Sequence, residues 1–393
     1  MPDFGLLLLL LAAIACGWWL GRKDWRKKRL VEVANRLQQE YFLGLNYLLT
    51  ERTDEAIETF IKALEVNSDT VETHLALAEL FRRRGEVARA VQVHQTLLAR
   101  PDLSASHSQQ IQLGLAKDYL YSGLLDRAEN LLKEVLQQPG RFKREALQLL
   151  MGVYQQERDW QNALFTGQQL LNLMPQDERV RRHLSHYACE LAEQALQGSQ
   201  RASARQYLQQ ALQLDKSCAR AWLLLARLDF NEGNPRSALK QLRQFRQHGE
   251  EMLSEAVELL SQIYLSQDQE KALLKHLQEW QQQTPSTTIM LAIAQLMQRR
   301  QGDFPAGFYV TEQLKHRPTI KGMLFLIDLH LVYANSQTKE SLQVLRTMMA
   351  QLQASRAIYQ CRQCGFQGRQ LHWQCPKCKE WGSVKPIRGV EGD

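Results

Sequence analysis

Small residues recur through the middle of this 393-residue chain at a spacing of about 34 residues, and that period constrains the fold more than any other feature. The plainest unit runs through Leu43, Gly44, Tyr47, Ala56, Phe60 and Ala63. Two short helices approach closely only where one presents Gly or Ala, while a large residue a turn away fills the space beside it. One such helix pair cannot bury its apolar face alone, so the units must stack. Leu, Ala, Gln, Arg and Glu dominate, and 21 Gly and 10 Pro leave few turn signals for strands. The length exceeds one compact core of ordinary size.

Later units keep parts of the frame: Leu77, Ala78, Phe81 and Ala90; Leu115, Ala116, Tyr119 and Ala128; Tyr154, Ala163 and Pro175. Then come Leu191, Ala192, Ala204 and Ala211; Trp222, Leu225, Ala226 and Ala238; Tyr264, Leu277 and Pro285; and Ala294, Ala306 and Pro318. The set resembles about eight tetratricopeptide units, several of them degenerate. Pro175, Pro285 and Pro318 fall where the second helix of a unit should stop. The segments "RPDLSASHSQQ" and "LAEQALQGSQRASARQ" stretch the spacing, which implies longer turns or longer helices there. From Met323 to Leu352 two apolar helical runs flank "ANSQTKES", a divergent last pair with Ser336 or Thr338 available as helix cap. Stacked pairs display the outward positions of their first helices on a concave face suited to an extended peptide or a partner helix, so binding is the expected function. Which groove residues would bind a partner is unknown from the sequence, because any single aromatic or Met at helical spacing reads first as core.

Phe4 to Leu20, "FGLLLLLLAAIACGWWL", carries no formal charge and sits at the short end of a membrane span. Charge follows it, as "RKDWRKKR" from Arg22 to Arg29, instead of preceding it, which favours an uncleaved anchor over a signal peptide. A lipoprotein site at Cys16 is opposed by the same order of charges. A Lys/Arg cluster directly after a span stays cytoplasmic, with Trp18, Trp19 and Trp25 at the lipid boundary. That cluster also suits anionic inner-membrane lipid. The net charge of +7 is concentrated there and in the last residues, so no basic, aromatic-interleaved nucleic-acid surface stands out.

Seven cysteines divide into Cys16, Cys189 and Cys218, which read as buried single thiols, and the set Cys361, Cys364, Cys375 and Cys378, spaced Cys-x2-Cys-x10-Cys-x2-Cys. Cytoplasmic thiol pools keep such pairs reduced, so a metal is the better use. Four thiolates at the corners of a tetrahedron suit one zinc or one iron ion, with bonds of about 2.3 Å for zinc. Gly365 and Pro376 shape the two turns. No βαβ pattern accompanies a redox pair, and four sulfurs leave His372 outside the shell. A tail of about forty residues buries too little surface to fold alone, so the metal should order it and let it pack against a nearby helix through Tyr359, Phe366, Trp373 or Trp381. Phosphate-loop, H-E-x-x-H and G-x-S-x-G motifs are missing from the sequence, so no enzyme activity is expected.

"YQCRQCGF" and "WQCPKC" resemble the two metal knuckles of rubredoxin, including Tyr359 and Trp373, each two residues before a cysteine. Rubredoxins carry a far longer insertion between knuckles, a departure that counts against a full rubredoxin fold and a redox role. Taken over essentially its whole length, the chain resembles the lipopolysaccharide assembly protein B family of Gram-negative bacteria. That resemblance implies a membrane-anchored cytoplasmic adaptor that regulates lipopolysaccharide biosynthesis. It would promote degradation of the deacetylase that commits precursors to lipid A, acting with a membrane-bound AAA+ metalloprotease, and gather envelope-assembly enzymes.

The expected architecture is all-α: one N-terminal transmembrane helix (1–21), a basic juxtamembrane segment (22–34), a tetratricopeptide superhelix (35–318), a divergent helix pair (319–353) and a small rubredoxin-like metal-binding domain (354–393). The competing expectation is an iron-dependent electron-transfer protein carried on a tetratricopeptide scaffold.

Overall fold

The computed structural model describes residues 42–47, 49–50, 52–66, 71–101, 103–390 and 392–393. The expected anchor (1–21) and basic segment (22–34) lie outside the described residues. Among the described residues no helix is long and apolar enough to cross a membrane. The chain forms two compact units, the first ending at Asp159 and the second running Trp160–Asp393.

In the first unit a helical stretch at 42–47 leads into α1 (Thr53–Val66), α2 (Val71–Arg83), α3 (Val87–Leu98), α4 (Ala105–Tyr121), α5 (Leu125–Gln137) and α6 (Lys143–Glu157). The second begins with α7 (Trp160–Leu173), α8 (Glu178–Gln197), α9 (Arg201–Leu214), α10 (Ala219–Asn231) and α11 (Pro235–His248). A 3-10 turn (Glu250–Ala256) precedes α12 (Val257–Leu265), α13 (Glu270–Gln283), α14 (Thr287–Gln301) and α15 (Asp303–His316). Last come α16 (Ile320–Tyr333), α17 (Ser336–Ser355) and a small antiparallel sheet of β1 (Tyr359–Cys361), β2 (Gln367–Gly368) and β3 (Val384–Pro386), in the order β2-β1-β3.

The small positions of the repeat are its contact points. Ala78, Ala90, Ala116 and Ala128 in the first unit, and Ala163, Ala192, Ala204, Ala211, Ala226, Ala238, Ala294 and Ala306 in the second, are wholly buried. Leu77, Tyr119, Leu225, Tyr264 and Leu277 pack inside with them. At Gly44 a side-chain carbon would lie 2.9 Å from the Phe60 ring, so only glycine admits that crossing. Pro175, Pro285 and Pro318 occupy the turns after α7, α13 and α15, as the spacing predicts.

The turns after α2, α4, α6, α8, α10, α12 and α14 each contain one residue with positive φ: Gly85, Gly123, Arg158, Ser199, Gly233, Asp268 and Gly302. In all but the last, the next residue donates its amide to the carbonyl five back, as Glu86 does to Phe81 (2.8 Å) and Asn234 to Asp229 (2.9 Å). This left-handed stop satisfies orphan carbonyls of the helix that it ends. The stretched spacing has a simple source in the second unit, where α8 runs for 20 residues. One expectation fails: α17 is capped by neither Ser336 nor Thr338. Asn335 holds the extended Ncap conformation, and its side chain accepts the Thr338 amide at 2.9 Å.

Inside the first unit, Asp118 on α4 takes Arg82 Nη1 at 2.8 Å on one carboxylate oxygen and meets His94 Nδ1 at 2.6 Å on the other, with all three side chains buried. A side-chain carbon at Gly114 would fall 2.4 Å from His94 Nε2, so the glycine makes room for the buried imidazole. Each helix from α2 to α4 thereby contributes a polar group to one satisfied network.

Candidate metal centre

The two cysteine pairs fold as equivalent knuckles. In the first, Gly365 N donates to Cys361 O (3.0 Å) and Cys361 N to Phe366 O (2.7 Å). In the second, Lys379 N donates to Cys375 O (2.9 Å) and Cys375 N to Glu380 O (2.9 Å). The residue after each second cysteine is left-handed, Gly365 at φ 72° and Lys379 at φ 59°. Glycine supplies that conformation without strain, whereas lysine adopts it at some cost. The β1–β3 ladder pairs Cys361 with Val384, and Gln374 bridges Trp381, so each knuckle is anchored by strand contacts.

The four sulfurs of Cys361, Cys364, Cys375 and Cys378 lie within 4.8 Å of one another. Cys361 and Cys378 Sγ are 3.7 Å apart, and Cys364 and Cys375 Sγ 3.6 Å. A tetrahedron with metal–sulfur bonds of about 2.3 Å has edges of about 3.8 Å. The donor set therefore fits one metal ion, and it fits iron as well as zinc.

The thiols respond unequally to that crowding. Burial and the neighbouring thiols push Cys378 up to about 12 and raise Cys375. Cys361 falls to about 6: burial opposes the shift, but the Ser383 hydroxyl 3.3 Å from its sulfur and the knuckle amides favour the thiolate. All four could be thiolates at this distance only with a cation among them.

The cysteine-bearing ribbon, residues 359–386, is seated on several elements of the second unit, mainly first helices of successive pairs, and not on one nearby helix. Trp381 is 2% exposed; it stacks on His186 of α8 with ring centroids 5.0 Å apart and meets Trp160 and Tyr187 edge-on at 5.9 Å each. Arg220 of α10 places its guanidinium 5.9 Å from the rings of both Trp373 and Trp381 while pairing with Glu190 (2.8 Å) and Glu193 (2.9 Å). Glu380, in the second knuckle, takes Arg179 at 2.7 Å and His183 at 3.3 Å. The Tyr359 hydroxyl donates to Glu255 at 2.7 Å. Further along, Asp393 accepts from Ser286 Oγ (2.7 Å) and Thr288 N (2.8 Å) at the start of α14, and Ile320 N of α16 donates to Val390 O.

Of the four aromatic residues expected to make this contact, Tyr359, Trp373 and Trp381 do so. Phe366 instead packs within the ribbon, edge-on to His372 at 6.3 Å. His372 itself is not among the clustered ligand atoms. Sequence reasoning did not identify the receiving residues His183, His186, Tyr187, Arg220 and Glu255. For the three on α8 the local signal is the run "HLSHY", whose spacing places His183, His186 and Tyr187 on one helix face; Arg220 and Glu255 have none. Cys189 and Cys218, read as separate buried thiols, are indeed buried but hydrogen-bond to each other between α8 and the start of α10.

Residues 359–386 match the family model described as a rubredoxin metal binding domain, and 43–104 and 195–263 match tetratricopeptide repeat models. Among solved structures, a tetratricopeptide repeat protein from Parabacteroides merdae aligns over 67% of this chain and 99% of its own, with 14% identity and a TM-score of 0.37. The chain is 31% identical over 398 residues to lipopolysaccharide assembly protein B of Haemophilus influenzae, covering 98% of each. It is 34% identical over 388 residues to lipopolysaccharide assembly protein B of Escherichia coli K12, covering 98% of this chain and 99% of that one. With similarity of that extent over the array and the ribbon together, this chain belongs to the lipopolysaccharide assembly protein B family.

Proposed function

We propose that this chain is a non-enzymatic adaptor in lipopolysaccharide assembly, in which a tetratricopeptide array holds partner proteins and Cys361, Cys364, Cys375 and Cys378 hold one metal ion. The metal supplies a covalent-strength cross-link between the knuckles, and the ordered ribbon then braces the first helices of the second unit. The observation that carries this reading is the burial of Trp381 against Trp160, His186 and Tyr187, because a ribbon wedged into a repeat array fixes its curvature instead of presenting a reaction centre.

In the finer form of the proposal, the apolar segment at 4–20 tethers the chain to the inner membrane with its bulk in the cytoplasm. The partners are then the lipid A pathway deacetylase and a membrane-bound AAA+ metalloprotease. Shared confinement to one membrane raises the effective concentration of client, adaptor and protease. The test is the lifetime of the deacetylase in cells carrying the full chain, a chain lacking residues 1–21, or none. Loss of the chain should lengthen that lifetime, and the untethered form should restore it poorly. An unchanged lifetime without the chain refutes the proteolysis step, and full restoration by the untethered form refutes the tether.

The electron-transfer alternative is favoured by a single observation, that Cys364 and Cys378 are only half-buried and give the centre a solvent-facing edge. A reversible visible absorption band in purified protein would support it, and a colourless, redox-silent metal would remove it.

A further inference from the structure

The last helix pair of the second unit is covered on too few sides for its composition. α16 reads "IKGMLFLIDLHLVY" and is apolar around most of its circumference, the signature of a helix buried on all sides, yet only Ile320, Gly322 and Leu329 are buried. α17 buries no residue at all. Val344, Leu345, Met348 and Leu352 form one stripe along it, exposed by 61%, 47%, 59% and 48%. Val332 and Tyr333 at the end of α16, and Phe304 and Phe308 on α15, are exposed by 63–86%. Phe304, Phe308, Leu329 and Tyr333 line an open cavity of about 650 Å³ between α15 and α16.

In each earlier pair of this unit the next first helix covers this side. After α17 the chain turns into the ribbon, whose contacts and those of the residues after it fall on α8, α10, the turn before α12 and the starts of α14 and α16, so among the described residues no segment covers the stripe on α17. The end of a helical repeat array needs a polar outer face to stay solvated, and this one has an apolar face.

We infer that α15–α17 form a self-association surface, on which a second copy of this chain packs the same helices about a two-fold axis. Area and charge both favour this occupant. The eight exposed side chains amount to about five whole ones, or roughly 800 Å² at 150–200 Å² each, close to the area of one partner in a standard stable interface. The charged rim is balanced, with Lys315 paired to Glu312 (2.6 Å) and Arg346 paired to Asp328 (2.5 Å). A lipid surface would call for an excess of Lys and Arg, and a charged partner for an excess of one sign. A rim of zero net charge meets its own copy without repulsion, and a two-fold contact requires a patch complementary to itself.

The test uses the full chain in its membrane, with a photoreactive benzoyl side chain placed at Met348. The expected product has twice the chain's mass, with the cross-linked peptide drawn from 303–355 of the second copy. An adduct to lipid, to a different protein or to residues 4–20 of the same chain overturns the inference, as does no adduct. Solution mass provides the second arm. Because α17 buries nothing, Leu345→Glu with Met348→Glu should preserve helicity and metal content while weakening dimers at least about tenfold. Mixing that variant with Leu345→Lys plus Met348→Lys should restore association by pairing opposite charges. A wild-type mass of one chain, or a variant mass unchanged at two, refutes the surface.

Discussion

Trp381 and His186 lie nearly parallel, with ring centroids 5.0 Å apart and planes inclined by 19°, and neither ring reaches solvent appreciably. The two residues belong to distant parts of the sequence, one in the ribbon and one in α8. Their contact is where a small four-cysteine element becomes part of the core of the second unit. A side-chain carbon at Gly382 would lie 3.3 Å from His186 Nε2, and the left-handed φ of 65° there also favours glycine, so the chain turns tightly around this imidazole.

Replacing Trp381 should detach the ribbon without unfolding the array. A buried tryptophan truncated to alanine costs about 3–5 kcal/mol, most of it lost contact with Trp160, Tyr187 and His186. Hydrogen exchange of the purified Trp381→Ala chain should rise across 359–386 and along the inward faces of α8 and α10, with α2–α5 unchanged. If exchange in the ribbon is unaltered, this contact does not hold it in place.

The seat of the ribbon should weaken in mild acid. Burial first, and the Arg220 charge second, hold His186 well below the usual imidazole range, and its Nδ1 has no hydrogen-bond partner among the described residues. Burial lowers His183 as well, against the pull of Glu380. A histidine kept neutral when folded takes up a proton near pH 6.5 when released, so the released state binds more protons and stability falls as pH drops through that value. Between pH 7.5 and 5.5 His186 alone should cost roughly 1.4 kcal/mol. Denaturant midpoints at the two values test this, and a His186→Gln chain should lose about that share of the difference. Equal pH dependence in the two chains would exclude His186 as the source.

The array was legible because its signals are local and repeated: buried alanines at fixed offsets, and prolines in the turns after α7, α13 and α15. The knuckles were legible because cysteine spacing alone nearly dictates the turn. The seat of the ribbon was not legible, since Trp381 meets His186 across almost two hundred positions and nothing local in either stretch names the other. Asn335 does not stand out as the cap of α17, because three polar candidates stand together and only backbone conformation separates them. The left-handed turn positions are not legible as a period, because Arg158, Ser199 and Asp268 stand where glycine would mark it.

Those same three residues are sites for stabilisation. A non-glycine residue held at φ of 57–59° carries a strain that glycine relieves, about 1 kcal/mol each, offset in part by glycine's greater freedom when unfolded. Ser199→Gly and Asp268→Gly together should raise the melting temperature of the second unit by a few degrees. Neither hydroxyl nor carboxylate is needed for the turn, whose hydrogen bonds run from Gln200 N to Ala195 O (2.8 Å) and Gln269 N to Tyr264 O (3.0 Å). A fall in melting temperature would mean that these side chains contribute contacts outweighing the backbone strain.

Removing the metal should release more than the ribbon. Without a cation, Cys375 and Cys378 hold their protons, pushed up by burial and by neighbouring sulfurs, so the knuckles lose the cross-link that closes them. Glu380 then loses its fixed place beside Arg179 and His183, and Trp381 its place on His186, because both follow Cys378 by no more than three residues. Chelation of the purified full chain should therefore expose amides in 359–386 and, in the same cooperative step, those at the start of α14, where Asp393 caps Ser286 and Thr288. The unit ending at Asp159 should keep its protection. Cys361→Ser with Cys364→Ser should reproduce the chelated pattern. Protein that is purified without bound metal, or a chelated chain whose exchange matches the untreated one, would show that packing alone orders the ribbon and that its four sulfurs serve some other purpose.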